Sequence, residues 1–366
     1  MSQPALRHLP LQSPRPDGGR FVRTILGQEH PARPPIFEYI ADGERIIRPV
    51  ITAMLGRPWV IPGDDRASQA AYLDNFMAFW YHLGYDVIKF ERGLPWALTS
   101  VVAPDTATDG ASERGWADEH GGSIRSWADF ERYPWPTVEQ IDFFPFEYIS
   151  QHLPEGMGLF LSHSGGPLEV LTRLMSYEGL SLTLFDDPAL VKAVAERVGS
   201  LMEQMYAQLL QLPNVLGLFP GDDMGFRTAT LIGPKSLRAY TLPWHKRFAE
   251  MAHAQGLVYC LHSCGNLATI MEDLIEDVKI DAKHSYEDVI IPVEEFQARY
   301  GSRIGVIGGL DVDRLAAGTP EQVRSRARQL KEICGGRGRY VLGSGNSIPN
   351  YIPVENYLAM VDEAWS

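Results

Sequence analysis

Short apolar runs, each closed by polar or glycine-rich residues, recur along the chain and alternate with longer stretches of helical periodicity. Eight of these runs read as strands: 34–39, 85–90, 157–163, 215–225, 257–262, 280–285, 303–309 and 339–345. Between them apolar residues return every three or four positions, as in Ile46, Ile47, Val50, Ile51 and Met54, or Val191, Val194, Val198, Leu201, Met205 and Leu209. That spacing predicts helices with one buried face. Gly84 ends one such helix, and Thr319, Pro320 and Gln322 form a start signal for another. Eight strands in order, most followed by a helix, predict an α/β fold, a single (β/α)₈ TIM barrel. A doubly wound sheet would place a glycine fingerprint after its first strand, and PPIFEYIADGER has none.

Two stretches break the alternation. Residues 1–20 hold four prolines and a Gly-Gly pair and read as a flexible N-terminal arm, leaving 21–366 as the barrel. Residues 93–137 carry Trp96, Trp116, Trp127 and Trp135 with little periodicity. Such an insertion between barrel elements reads as a lid or pocket wall, or as a packed structural cap.

Composition narrows the function classes. The chain of 366 residues has a net charge of −13, which argues against nucleic acid or an anionic membrane surface as partner. Three cysteines do not make a disulfide framework, and no run approaches a membrane span, so a cytoplasmic protein is expected.

In a barrel the chemistry gathers at the C-terminal ends of the strands. Those ends carry Glu38, Glu91, His163, Asp222 with Asp223, His262 with Cys264, His284 with Glu287, Asp311, and Ser344 with Asn346. Asp311 reads as a helix cap or loop anchor. The turn at His163–Gly166 reads first as structure, although its amides suit an anionic group. Residues two apart in a strand face the same way, so His262 and Cys264 project together, a ring nitrogen beside a thiol. That pair suits Zn²⁺, whose catalytic sites use three protein ligands and one open position. Glu287, on the next rim loop, is the expected third ligand, with His284 and Asp222 as rivals. Cys260 shares the His262 face but lies deeper and reads as core; Cys334 reads as structural.

The blocks IRSWADFERYPWP, FPGDDMGF, LHSCGNL, IGVIGGLDV and GSGNSIPNYIPVENYLAMV, in this order, resemble the uroporphyrinogen decarboxylase-like superfamily of single (β/α)₈ barrels, over roughly residues 20–364. The decarboxylases themselves carry an arginine-rich segment after the first strand that clamps tetrapyrrole carboxylates; here that position is the acidic PIFEYIADGER. The H-x-C pair looks instead like the zinc motif of the methyltransferase branch, which moves methyl groups between corrinoid proteins and thiols or other acceptors. That branch takes a further cysteine near the eighth strand, where this chain has Ser344. A fold relative, cobalamin-independent methionine synthase, adds a glutamate after the H-x-C pair, and this carry-over implicates Glu287.

The resemblance implies a zinc-dependent methyltransferase of corrinoid-linked methyl transfer. His262, Cys264 and Glu287 would hold the metal, Asp222, Asp223 and His284 would take catalytic roles, and Glu38, His163, Ser344 and Asn346 would contact substrate. Its partners would be a small methyl donor or acceptor and a corrinoid (cobalamin) carried by a protein or free. Two alternatives stand beside it: a metal-free carboxy-lyase using Asp222 or Asp223, and a barrel that binds without turnover.

Overall fold

The computed structural model describes residues 6–98, 100–104, 113–117 and 121–366. The first five residues of the expected arm, and 99, 105–112 and 118–120 of the tryptophan-rich insertion, lie outside the described residues.

Nine strands are present among the described residues: β1 Val87–Arg92, β2 Ser100–Pro104, β3 Glu113–Ala117, β4 Gly158–His163, β5 Val215–Leu218, β6 Val258–His262, β7 Ala282–His284, β8 Gly305–Ile307 and β9 Tyr340–Val341. Seven form one parallel sheet in the order β1-β4-β5-β6-β7-β8-β9, each joined to the next by a segment that contains helix. The sheet curls on itself in the manner of a TIM barrel. The first expected strand is reduced to a single parallel bridge, Ile36 to Leu342, beyond β9. Pro34 and Pro35 explain the shortfall, since neither has an N–H to give to a ladder. β2 and β3 pair antiparallel as a separate hairpin inside the tryptophan-rich insertion, which the sequence pattern did not disclose.

Strand alternation sorts the side chains. Phe37, Val87, Phe160, Phe219, Val258, Cys260, Ala282, Ile307 and Val341 form an inner cluster, while Ile88, Leu161, Tyr259 and Leu261 pack outward on the helix layer. Phe21 and Ile25, from the helix Gly18–Ile25, join the inner cluster with no exposure. Gly18 abuts Gly158 at the start of β4, and Ile25 abuts Gly305 at the start of β8. This helix therefore closes the end of the barrel opposite the site, with Phe21 packed on Phe37 and Phe160.

The backbone N–H groups of Arg7, His8 and Leu9 reach the Asp362 carboxylate, which Arg324 also holds at 2.7 Å. The Thr319–Gln322 capping box opens the helix Pro320–Leu330. No described helix is long and apolar enough to cross a membrane.

Candidate metal centre

β5 stops at Leu218, but its path continues beside β6. Gly221 bridges His262, the Asp222 N–H donates to the His262 carbonyl, and the Gly225 N–H donates to the Cys264 carbonyl. The loops run so close that a side chain on Gly265 would strike the backbone of Gly225, and Gly265 has φ of +81°. This parallel register sets Asp223 level with Cys264. Asp223 Oδ1 accepts the Cys264 N–H at 2.8 Å and lies 3.8 Å from His262 Nε2. Cys264 Sγ is 3.4 Å from the same His262 nitrogen. One ligand atom from each of Asp223, His262 and Cys264 falls within 4.8 Å of the others.

The two separations at His262 Nε2, 3.8 and 3.4 Å, are close to those of zinc ligands. Bond lengths of about 2.0 Å to nitrogen and 2.3 Å to sulfur, at a tetrahedral angle, put the ligand atoms about 3.5 Å apart. The oxygen, nitrogen and sulfur donors could hold a metal ion, and catalytic zinc sites use three such protein ligands.

Neighbours hold these donors in place. Asn346 Nδ2 donates to Cys264 Sγ at 3.2 Å and Ser285 Oγ does so at 3.4 Å, both suited to a thiolate. Ser285 has φ of +107°, a strained setting for a residue with a Cβ, and the strain falls where its hydroxyl meets the thiol. Burial and the Asp223 charge push the Cys264 thiol up to about 12, so without a cation it keeps its proton. Burial also raises the Asp223 carboxyl, against the pull of the Cys264 N–H.

The His262 ring stacks on Tyr39 at 4.1 Å between centroids, and its Nδ1 faces His284 Nδ1 at 2.7 Å. Burial holds His262 well below its ordinary value and brings His284 down to about 3, so both rings are neutral. His284 Nε2 lies 3.3 Å from the Ser344 carbonyl. Ser344 Oγ meets both the Glu38 carboxyl and the Asn346 carbonyl, and its N–H donates to Glu38 Oε1 at 2.9 Å. One hydroxyl hydrogen cannot serve two acceptors, so Glu38 carries the second proton. Burial takes that carboxyl up to about 8, in agreement.

Other expected site residues lie apart from this group. The Glu287 carboxylate is outside the three-donor cluster and lines the mouth beside Asn346. Asp222 is wholly buried: Oδ1 accepts Glu169 N–H at 2.9 Å, and Oδ2 accepts Leu168 N–H and meets His245 Nε2 at 2.8 Å. It thereby caps the helix Pro167–Met175. His163, brought down to about 4 by burial, donates from Nδ1 to the Gly165 carbonyl and accepts the Leu94 and Trp96 N–H groups at Nε2. It ties the start of the insertion to β4. Asp311 accepts the Asp313 and Asp288 N–H groups and caps the helix Val312–Ala317.

Two buried lysines had no signal beyond their place inside apolar strands. Lys89 lies over the Tyr39 ring at 3.5 Å and pairs with Glu91; burial lowers it to about 8. Lys283 faces the helix layer and donates to the Ser285 carbonyl at 2.6 Å and the Ser263 carbonyl at 3.2 Å, pinning both rim loops.

The mouth beside Asn346 opens into a cavity of about 670 Å³. Asp42, Glu287, Asp311 and Asp313 line it, with no basic side chain among the described residues of its wall.

Known proteins place this architecture. A methyltransferase from Methanosarcina mazei superposes with a TM-score of 0.67 at 17% identity, covering 95% of this chain and 97% of that one. A protein described as a vitamin B12-independent methionine synthase from Listeria monocytogenes gives 0.49 at 11% identity, covering 91% and 97%. No curated protein matches the chain. Residues 123–365 match the family model named uroporphyrinogen decarboxylase (URO-D), and with two-thirds of its length matched the chain belongs to the uroporphyrinogen decarboxylase family.

Proposed function

We propose that the chain is a zinc-dependent methyltransferase that moves a methyl group between a small methylated donor or thiol acceptor and a corrinoid, carried by a partner protein or free. The observation that carries the reading is the Asp223–His262–Cys264 cluster at the barrel mouth. It supplies the three donors of a catalytic zinc site, with Asp223 in the third place that Glu287 was expected to fill. Bound there, zinc would supply Lewis acidity, keeping a substrate thiol or alkoxide deprotonated at neutral pH.

The chain's own groups do the rest. Cys264 would release its proton to solvent when a cation binds, and Asn346 and Ser285 are placed to steady the sulfur charge with their donors. Tyr39 fixes the His262 ring by stacking. The fold shared with a protein named a methyltransferase agrees with the reading.

The decarboxylase after which the matched family is named speaks for the lyase alternative, and two features of this chain speak against it. Both Asp222 oxygens are committed to helix amides and His245, and the mouth carries carboxylates where a polycarboxylate substrate needs cations.

The test is elemental analysis of purified wild type and Cys264→Ala, followed by mixing with a methylcorrinoid while the cobalt spectrum is watched. Near-stoichiometric zinc lost in the variant, with demethylation of the corrinoid by a thiol, is the expected result. A wild type that stays metal-free after incubation with zinc overturns the proposal.

A further inference from the structure

A histidine binds a metal only through a nitrogen that carries no hydrogen, and the hydrogen bond made by its other nitrogen selects which one that is. At His262 the selecting bond goes to a second histidine, which is itself held by a main-chain carbonyl. The Ser344 carbonyl can only accept, and it already takes the Gly309 N–H at 3.1 Å. His284 Nε2, 3.3 Å away, therefore carries a hydrogen. The His284 ring is fully buried, edge-on to Phe37 and Phe219, where a second hydrogen and a full charge are costly. Its Nδ1 is then bare. Two ring nitrogens 2.7 Å apart share one hydrogen, so that hydrogen sits on His262 Nδ1. His262 Nε2 is left bare, facing Asp223 and Cys264.

We propose that His284 is a positioning residue that, anchored by the Ser344 main chain, locks His262 in the tautomer protonated at Nδ1 and so presents Nε2 to the metal. The inference rests on the zinc reading above. It also gives Ser344 a part where a cysteine ligand was expected: its hydroxyl is spent on Glu38 and Asn346, and its carbonyl steers the ligand histidine. Gly308, with φ of +85°, leaves the room needed, since a Cβ there would lie 2.2 Å from the Ser344 carbonyl and 3.0 Å from His284 Nε2.

Two measurements test it. Zinc affinity is read by chelator competition in wild type, His284→Leu and His284→Asn, with folding checked by circular dichroism. Leu fills the space without an acceptor and should weaken binding about 10- to 100-fold, whereas Asn keeps an acceptor oxygen where Nδ1 was and should stay within a few-fold of wild type. Equal affinity in wild type and Leu, or an Asn variant as weak as Leu, overturns the proposal. Independently of any variant, ¹⁵N spectra of histidine-labelled, metal-free wild type should show His262 protonated at Nδ1 and unprotonated at Nε2. The opposite tautomer, or a doubly protonated His284, overturns it. A wild type that binds no zinc yet shows the Nδ1 tautomer refutes the zinc reading and leaves the hydrogen-bond relay standing.

Discussion

Asp223 Oδ1 accepts the backbone N–H of Cys264 at 2.8 Å, so the carboxylate that faces the thiol also clamps the loop that carries it. The two roles are separable. Asp223→Asn keeps an acceptor for the N–H but loses the charge, and Asp223→Ala loses both. Zinc affinity should fall in each variant, while thermal stability should drop, by about 1 kcal/mol, only in Ala. Equal zinc affinity in wild type and Asn would remove Asp223 from the ligand set.

The Cys264 thiol, held at about 12 by burial and the Asp223 charge, should be a slow nucleophile in metal-free protein. At pH 8 its alkylation by iodoacetamide should run at least about a hundredfold slower than that of an unperturbed cysteine. The rate should still be climbing at pH 10, past the point where an ordinary thiol levels off. Mass spectrometry of the peptide spanning 257–265 reads the labelling directly; fast modification at neutral pH would contradict the assignment.

Glu38 carries the pH dependence of the fold near the site. Its folded-state value of about 8 lies above the ordinary carboxyl value of 4.5, so the folded state holds a proton that the unfolded chain releases. The stability this contributes is fully present below about 4.5 and is lost as the pH rises through about 8. Glu38→Gln keeps a donor for Ser344 Oγ and an acceptor for its N–H at every pH. Urea unfolding from pH 4 to 9 should show the variant gaining on wild type up to about pH 8 and holding a constant lead above it. Parallel curves would refute a protonated Glu38.

Asp222 is expected to matter for folding. Replacing it with alanine strands the Leu168 and Glu169 N–H groups and leaves His245 Nε2 buried without its carboxylate, only Nδ1 keeping a partner in the Tyr259 hydroxyl. The loss should be about 3 kcal/mol. Asp222→Asn, which keeps an acceptor for the amides, should lose less, and zinc content should survive in it. Loss of the metal in a well-folded Asn variant would place Asp222 among the ligands instead.

Much of this arrangement is legible in the linear chain. The apolar runs mark all seven strands of the main sheet, because strands covered by helices must be apolar over their whole length. The step of two between His262 and Cys264 sets both on one side, and the Thr319–Gln322 box marks a helix start that the structure bears out. What local patterns do not carry is register between distant segments. Asp223 reaches Cys264 because Gly221 pairs with His262, 41 residues away, and nothing near Asp222-Asp223 tells which of the two turns toward the thiol. Lys89 and Lys283 sit inside apolar strands as an inward and an outward residue, and a sequence pattern reads both simply as polar interruptions. The pairing of β2 with β3 falls in the tryptophan-rich stretch, where apolar and polar residues show little alternation to mark a strand.

The helix Gly18–Ile25 makes the barrel a blind well, sealed below by Phe21 and Ile25. Whatever reaches the centre comes down from the rim and has to leave the same way. A group-transfer reaction run in such a well is a matter of traffic: donor and acceptor either queue, one departing before the other arrives, or approach side by side through a single doorway. The initial-rate pattern at varied concentrations of both, parallel lines or intersecting ones, tells which rule the traffic obeys.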